Sequence, residues 1–264
     1  MNASDRSPGT IRPMGWGLSL LLFAVPGALA VIELYVVVPA LIAAGMKPFY
    51  AQMIPIVFAL MLAASIVAYR LESRPLNWAG IRERFRLHRL TGRHWLWVLG
   101  GTIGSFALYY LFTPLGQWLI GRGIMPLPAS LPTWLDPRVS MPLVARFNQE
   151  AGGLQGNWLA FALMAIHFCF NIIGEEFWWR GYILPRQELA FGKWTWLVHG
   201  ALWAVLFHAF KWWDVIGLLP GDLLMVYIVW RTKNTTTIVI MHTLTNISAV
   251  LFVLLGVLGV PLSM

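Results

Sequence analysis

The sequence predicts an all-α fold: a polytopic transmembrane helix bundle of about seven crossings, with room for an eighth helix. Its chemistry-bearing helices lie in the C-terminal half. Three observations carry this. The chain is 58% hydrophobic and only 11% charged, with a mean hydropathy of +0.68; soluble domains carry roughly 25% charged residues. Several apolar runs reach the roughly 20 residues an α-helix needs to cross a bilayer. These runs are continuous, whereas membrane β-barrels show short alternating segments. Fifteen tryptophans suit a protein with many membrane–water interfaces.

Taken in order, the expected crossings are Trp16–Ala44, Tyr50–Tyr69, Trp95–Ile120, Trp158–Trp179, Trp194–Trp212, Val215–Trp230 and Thr237–Leu258. The first begins like a signal peptide, with Arg6 and Arg12 before "LSLLLFAVPGALA". Its apolar run passes Ala30 and continues to Ala44, broken only by Glu33, so an uncleaved helix is expected. The sixth is short and contains Pro220 and Gly221, which predicts a kinked or incompletely spanning segment. Between the third and fourth lies "GRGIMPLPASLPTWLDPRVSMPLVARFNQEAGGLQGN", a connection long enough to suggest function or mobility. The chain reads as one integral membrane domain, residues 1–264.

The net charge of +8 could suggest nucleic acid, but its distribution argues against that partner. Seven arginines fall in one stretch, "RLESRPLNWAGIRERFRLHRLTGR", the pattern of a cytoplasmic loop facing anionic lipid. With that loop inside, fourteen of the nineteen Lys and Arg residues lie inside and five outside, which predicts N-terminus inside and C-terminus outside. The five are Lys47, Arg122, Arg138, Arg146 and Lys211. The lone cysteine, Cys169, excludes an intrachain disulfide and a cysteine metal cluster.

Ionisable groups inside a membrane are costly and are functional candidates by default. The apolar segments and their ends hold Glu33, His167, Glu175, Glu176, His199, His208, Asp222 and His242, with the amides Asn171 and Asn246. All except Glu33 fall in the second half. Adjacent helical residues point about 100° apart, so Glu175 and Glu176 face different ways. Glu176 reaches Arg180 four positions on. Glu175 shares a face with Asn171, and His167 lies one step further down it. An uncompensated Glu175 near a histidine suits a general base for water. His208 lies in "WAVLFHAFKWW". His242 and Asn246 lie on one face of "VIMHTLTNI". If these converge, they can activate water and supply donors to an oxyanion. Each also admits a structural role: Glu175 in an interhelical ion pair, Glu176 with Arg180 as an anchor, and His208, His242 and Asn246 as interhelical glue. His167, His199 and Asp222 read as structural or supporting.

The order of these motifs carries a resemblance. "EEFWWR" fits EExxxR and "HTLTN" fits HxxxN. Between them comes a histidine on its own apolar helix, then an Arg-Thr turn. Over about Trp158 to Leu258 the chain resembles the CAAX prenyl protease type II and bacteriocin-processing family (CPBP, or Abi) of intramembrane glutamic endopeptidases. The first half resembles it only as generic membrane helices. The resemblance implies that Glu175, helped by His208, activates the attacking water. It further implies that His242 and Asn246 stabilise the oxyanion, and that Glu176 and Arg180 hold the motif helix. Asn171 would support Glu175. There is one departure: the family's FxxxH has Ala204 where the aromatic should stand, with Phe207 adjacent to the histidine.

No cofactor is expected by this route, since hydrolysis needs a base, a water and oxyanion donors. HExxH is absent, and "TIGSFAL" lacks the second glycine of a rhomboid-like serine site. A zinc site from Glu175, His208 and His242 stays formally open. Counted from the inside ends, His208 lies deeper than His242, so the motif helix should continue past Trp179 toward Pro185.

Three functions compete. The first is a protease acting on a membrane-associated or lipid-modified protein or peptide. The second is a non-catalytic immunity or scaffold protein of the same family. The third is a proton-coupled transporter, for which no inverted repeat is visible. Compact length fits, by resemblance, a prokaryotic protein of the inner membrane.

Overall fold

The computed structural model describes residues 11–260, which form helices, turns and connections with no strand among them. Arg6 and the start of the leader-like segment lie outside the described residues. Six stretches are long and apolar enough to cross a membrane: Trp16–Ala43, Pro48–Leu71, Gly92–Gly121, Trp158–Val205, Phe207–Thr232 and Thr235–Val257.

The first is α1 (Trp16–Ile32), a π-helical turn at Glu33–Val37, and α2 (Val38–Ala43). The second is α3 (Pro48–Gln52) and α4 (Ile56–Leu71), separated by a break before Pro55. The break explains Glu33. Its carboxylate accepts from the backbone N–H groups of Ile56 (3.2 Å) and Val57 (3.0 Å), the unsatisfied donors at the start of α4. A short α5 (Trp78–Arg84) leads to α6 (Gly92–Gly121). The long connection then carries α7 (Leu143–Ala151).

The motif helix does extend beyond Trp179. α8 (Trp158–Glu176) passes through a π-helical stretch, Phe177–Ile183, into α9 (Leu184–Phe191). The chain then reverses at Gly192, where φ is +53°. α10 (Thr195–Val205) runs back antiparallel, shown by contacts of Gln187 with His199 and of Trp179 with Phe207. Trp158–Val205 is therefore a hairpin. A 3-10 stretch, Phe207–Asp214, follows, with non-helical torsions at His208 and Lys211. α11 (Val215–Thr232) and α12 (Thr235–Val257) complete the chain. Pro220 lies inside α11 without ending it, so the expected interruption falls in the previous segment instead. Irregular backbone at membrane depth is tolerated where it is buried in protein or lines a cavity. His208 is such a case.

Two close approaches set the geometry. A side chain at Gly174 would meet the Phe58 carbonyl oxygen at 2.4 Å, so α8 presses directly on α4 one residue before Glu175. A side chain at Gly27 would meet the Leu206 carbonyl at 2.1 Å, so α1 backs the 3-10 stretch. Small residues permit such contacts between membrane helices.

Two apolar clusters form. One gathers Phe23, Trp179, Trp203, Phe207, Met225 and Met241, with Phe23 stacked on Trp179 at 4.2 Å. The other joins Phe49, Met53, Phe147, Met164 and Val253. Outward faces stay apolar: Leu96, Ile103 and Leu111 of α6 are about 70% exposed (73%, 69% and 70%), as a lipid-facing helix requires.

At one end, the loops grouped on one side by the Lys and Arg count meet. Arg84 pairs with Glu72 at 2.6 Å and donates to the Gly181 carbonyl. Arg186 reaches Glu72 at 3.4 Å, and Arg86 and Lys233 both bind Glu188. Part of the basic loop is thus spent inside the protein.

Candidate active site

A cavity of about 460 Å³ opens between the two apolar clusters, taking Trp203 and Met225 from one and Met53, Phe147 and Met164 from the other. Its polar wall brings together Asn171 and Glu175 of α8, His208 of the 3-10 stretch, and His242 and Asn246 of α12. Asp222 of α11 joins them, as does His167 of α8. Glu176 and Arg180 are not on this wall.

The two glutamates diverge as helical geometry requires. Glu175 accepts from the Asn171 amide (2.8 Å) and from the Trp203 indole N–H (3.0 Å), one donor on each oxygen. Neutral donors hold it in place without a paired cation. Glu176 turns away and is fully buried against Arg180 at 3.2 Å. The Arg180 guanidinium in turn lies 3.6 Å from the centre of the Trp203 ring. One indole thus touches both systems: its edge holds Glu175 and its face covers Arg180.

Glu176 also contacts His242, with Nδ1 at 2.8 Å from the carboxylate. The expectation from the sequence pairs that glutamate with Arg180 alone and sets His242 facing Glu175. In the fold, Glu176 fixes the ring of His242 from behind and leaves Nε2 as the nitrogen available to the cavity. Asn246 reaches the cavity wall, but its amide donates to the His242 carbonyl (3.1 Å) and to Thr245 Oγ1 (3.2 Å) within α12. A donor role for Asn246 therefore requires its amide to rotate.

The aromatic missing from the FxxxH position is supplied from elsewhere. Trp203 and Phe207 each place a ring centre 5.2 Å from that of His208. The departure from regular helix around His208 changes which upstream residues can reach it. Trp203 was not foreseen, although a buried indole in "WAVLFHAFKWW" must find an acceptor. Asp222, expected from the sequence to be structural or supporting, lies 3.4 Å from His208 Nδ1.

His199 is structural. It binds Gln187 at 2.6 Å, and Gln187 donates to Ser19, tying α10, α9 and α1 together away from the cavity. His167 packs edge-on against Phe58. Among the described residues, no three His, Cys, Asp or Glu side chains form a metal-binding group.

The long connection closes over the cavity. Trp134 and Leu135 line it, and the Trp134 indole donates to Gln52 of α3. Arg146 braces the loop by donating to the carbonyls of Thr133, Val139 and Met141.

Residues 157–248 match the family described as type II CAAX prenyl endopeptidase Rce1-like. The match begins at the cap of α8 and contains every polar wall residue named above. No curated protein and no solved structure matches the chain.

Proposed function

From the match of residues 157–248 to the type II CAAX prenyl endopeptidase Rce1-like family, together with the geometry of the cavity, we propose that the chain hydrolyses a peptide bond inside the membrane with a water activated by Glu175 and His208. The observation that carries this reading is the single cavity lined by Glu175, His208, His242 and Asn246 from three separate segments. The substrate is a membrane-associated or lipid-modified protein or peptide. The apolar part of the cavity suits a hydrophobic substrate segment.

In this mechanism the water sits between Glu175 and His208. Glu175 removes its proton as the oxygen attacks the carbonyl carbon, and later returns that proton to the leaving nitrogen. Charge that develops on the carbonyl oxygen is met by His242 Nε2–H, joined by the Asn246 amide once it rotates. His242 carries two protons in this state, with its Nδ1–H on Glu176. The reaction calls on no metal or cofactor. The protein sits in a prokaryotic inner membrane with its N-terminus inside.

The test is comparative membrane proteomics of wild type against Glu175→Ala, Glu175→Gln and His208→Ala at matched expression. An uncleaved membrane protein accumulating in all three is expected. An intact phenotype with Glu175→Gln would instead identify a non-catalytic scaffold, and proton-coupled uptake lost in that variant would identify a transporter.

A further inference from the structure

Of Glu175, His208, His242 and Asn246, His208 alone sits in irregular backbone, with φ −80° and ψ +16° in a stretch that is neither α10 nor α11. Regular helix hydrogen bonding does not fix its ring. The Trp203 and Phe207 rings restrict where the ring can lie, but apolar contacts do not select which nitrogen carries the proton.

Asp222 can. It stands on α11 across the turn at Asp214, buried, with Oδ2 3.4 Å from His208 Nδ1. Both atoms are shielded from solvent and neither makes a hydrogen bond. A buried polar atom without a partner is costly, and at 3.4 Å each stands within reach of the other. The separation is long for a hydrogen bond, as is common in active sites before substrate tightens them.

We infer that Asp222 is a positioning residue that accepts the Nδ1 proton of His208 and so keeps Nε2 as an acceptor facing the cavity. This rests on the protease reading above. The consequence is chemical. The attacking water has two hydrogens: one is taken by Glu175 and the other is held by the Nε2 lone pair. Its oxygen lone pair is then free to point at the carbonyl carbon. As the O–H bond to Glu175 breaks, the O–C bond forms and the carbonyl pair moves onto oxygen. Asp222 gains and loses nothing in the step. In the opposite tautomer, Nε2–H would donate to the water, drawing on one of its two lone pairs and leaving its second hydrogen without an acceptor, which weakens it as a nucleophile. Lys211, on the same 3-10 stretch and wall, makes no ion pair with Asp222 within 4 Å, so the carboxylate is left to the histidine.

The experiment is ¹⁵N NMR of the full chain labelled at histidine, purified in detergent micelles without ligand. His208 is identified as the signal lost in His208→Gln. Wild type is expected to show His208 protonated on Nδ1 and bare on Nε2. Asp222→Asn, which can donate to Nδ1, is expected to move the proton to Nε2. With the peptide identified by the proteomic comparison, the same variant should lose about 10²- to 10⁴-fold in kcat with KM nearly unchanged. Wild-type His208 protonated on Nε2 overturns the inference, and needs no Asp222 variant to fold. So does a folded Asp222→Asn with unchanged tautomer. Cleavage in a protein whose His208 is Nε2-protonated overturns this inference alone, whereas a chain that cleaves nothing overturns the protease reading beneath it.

Discussion

Glu176 and His242 lie 66 positions apart in the chain and meet at 2.8 Å, with Arg180 on the same carboxylate oxygen. The second glutamate of the EE pair is thus the link between the motif helix α8 and α12. It holds one polar wall of the cavity to another without entering the cavity itself.

The two glutamates should therefore fail differently. Glu176→Gln leaves Arg180 buried without a counter-charge, and breaking such a pair costs about 3–5 kcal/mol. Thermal unfolding in detergent should show a large fall in Tm. Glu175→Gln keeps one acceptor oxygen for the Trp203 indole and can donate its NH2 to a flipped Asn171 amide, so its Tm should stay close to wild type while cleavage vanishes. Equal Tm losses in both variants would contradict this division.

Trp203→Phe keeps the aromatic surface and removes the N–H held by Glu175. A hydrogen bond to a charged group is worth about 1.5–3 kcal/mol, so kcat should fall about 10- to 100-fold if the bond also orients the base. Steady-state kinetics on the identified peptide checks this. An unchanged kcat would show that Asn171 alone suffices.

Gly174→Ala puts a methyl group against the Phe58 carbonyl, a backbone atom that cannot swing aside. Overpacking of this kind costs about 1–3 kcal/mol. Lower Tm and reduced cleavage should appear together, because the displaced backbone is that of Glu175's neighbour.

His199→Ala separates structure from chemistry. It removes the ring that binds Gln187, which should cost about 1–3 kcal/mol by leaving Gln187 short of a partner. Cleavage per folded molecule should not change. A selective loss of kcat would instead assign His199 to the catalytic machinery.

Much of the fold was legible from hydropathy because lipid imposes length and continuity on every crossing. The Asn171–Glu175 face followed from 3.6-residue periodicity, and the extension of the motif helix past Trp179 from the relative depths of His208 and His242. Periodicity failed where the helix did. Around His208, the four-residue spacing of the family motif points to Ala204, whereas the irregular backbone presents Trp203 and Phe207.

The sequence by itself determined that this chain is a membrane bundle, that its polar groups crowd the second half, and that Glu175 and Glu176 must point apart. Local covalent geometry and the cost of charge in lipid are enough for that. Only the tertiary structure decided which partner each group takes: Trp203 on Glu175, His242 on Glu176 and Asp222 beside His208. Those pairings depend on the register between helices joined by reversals at Gly192, Asp214 and Asn234. Side-chain packing across the bundle sets that register, and it leaves no periodic trace along the chain.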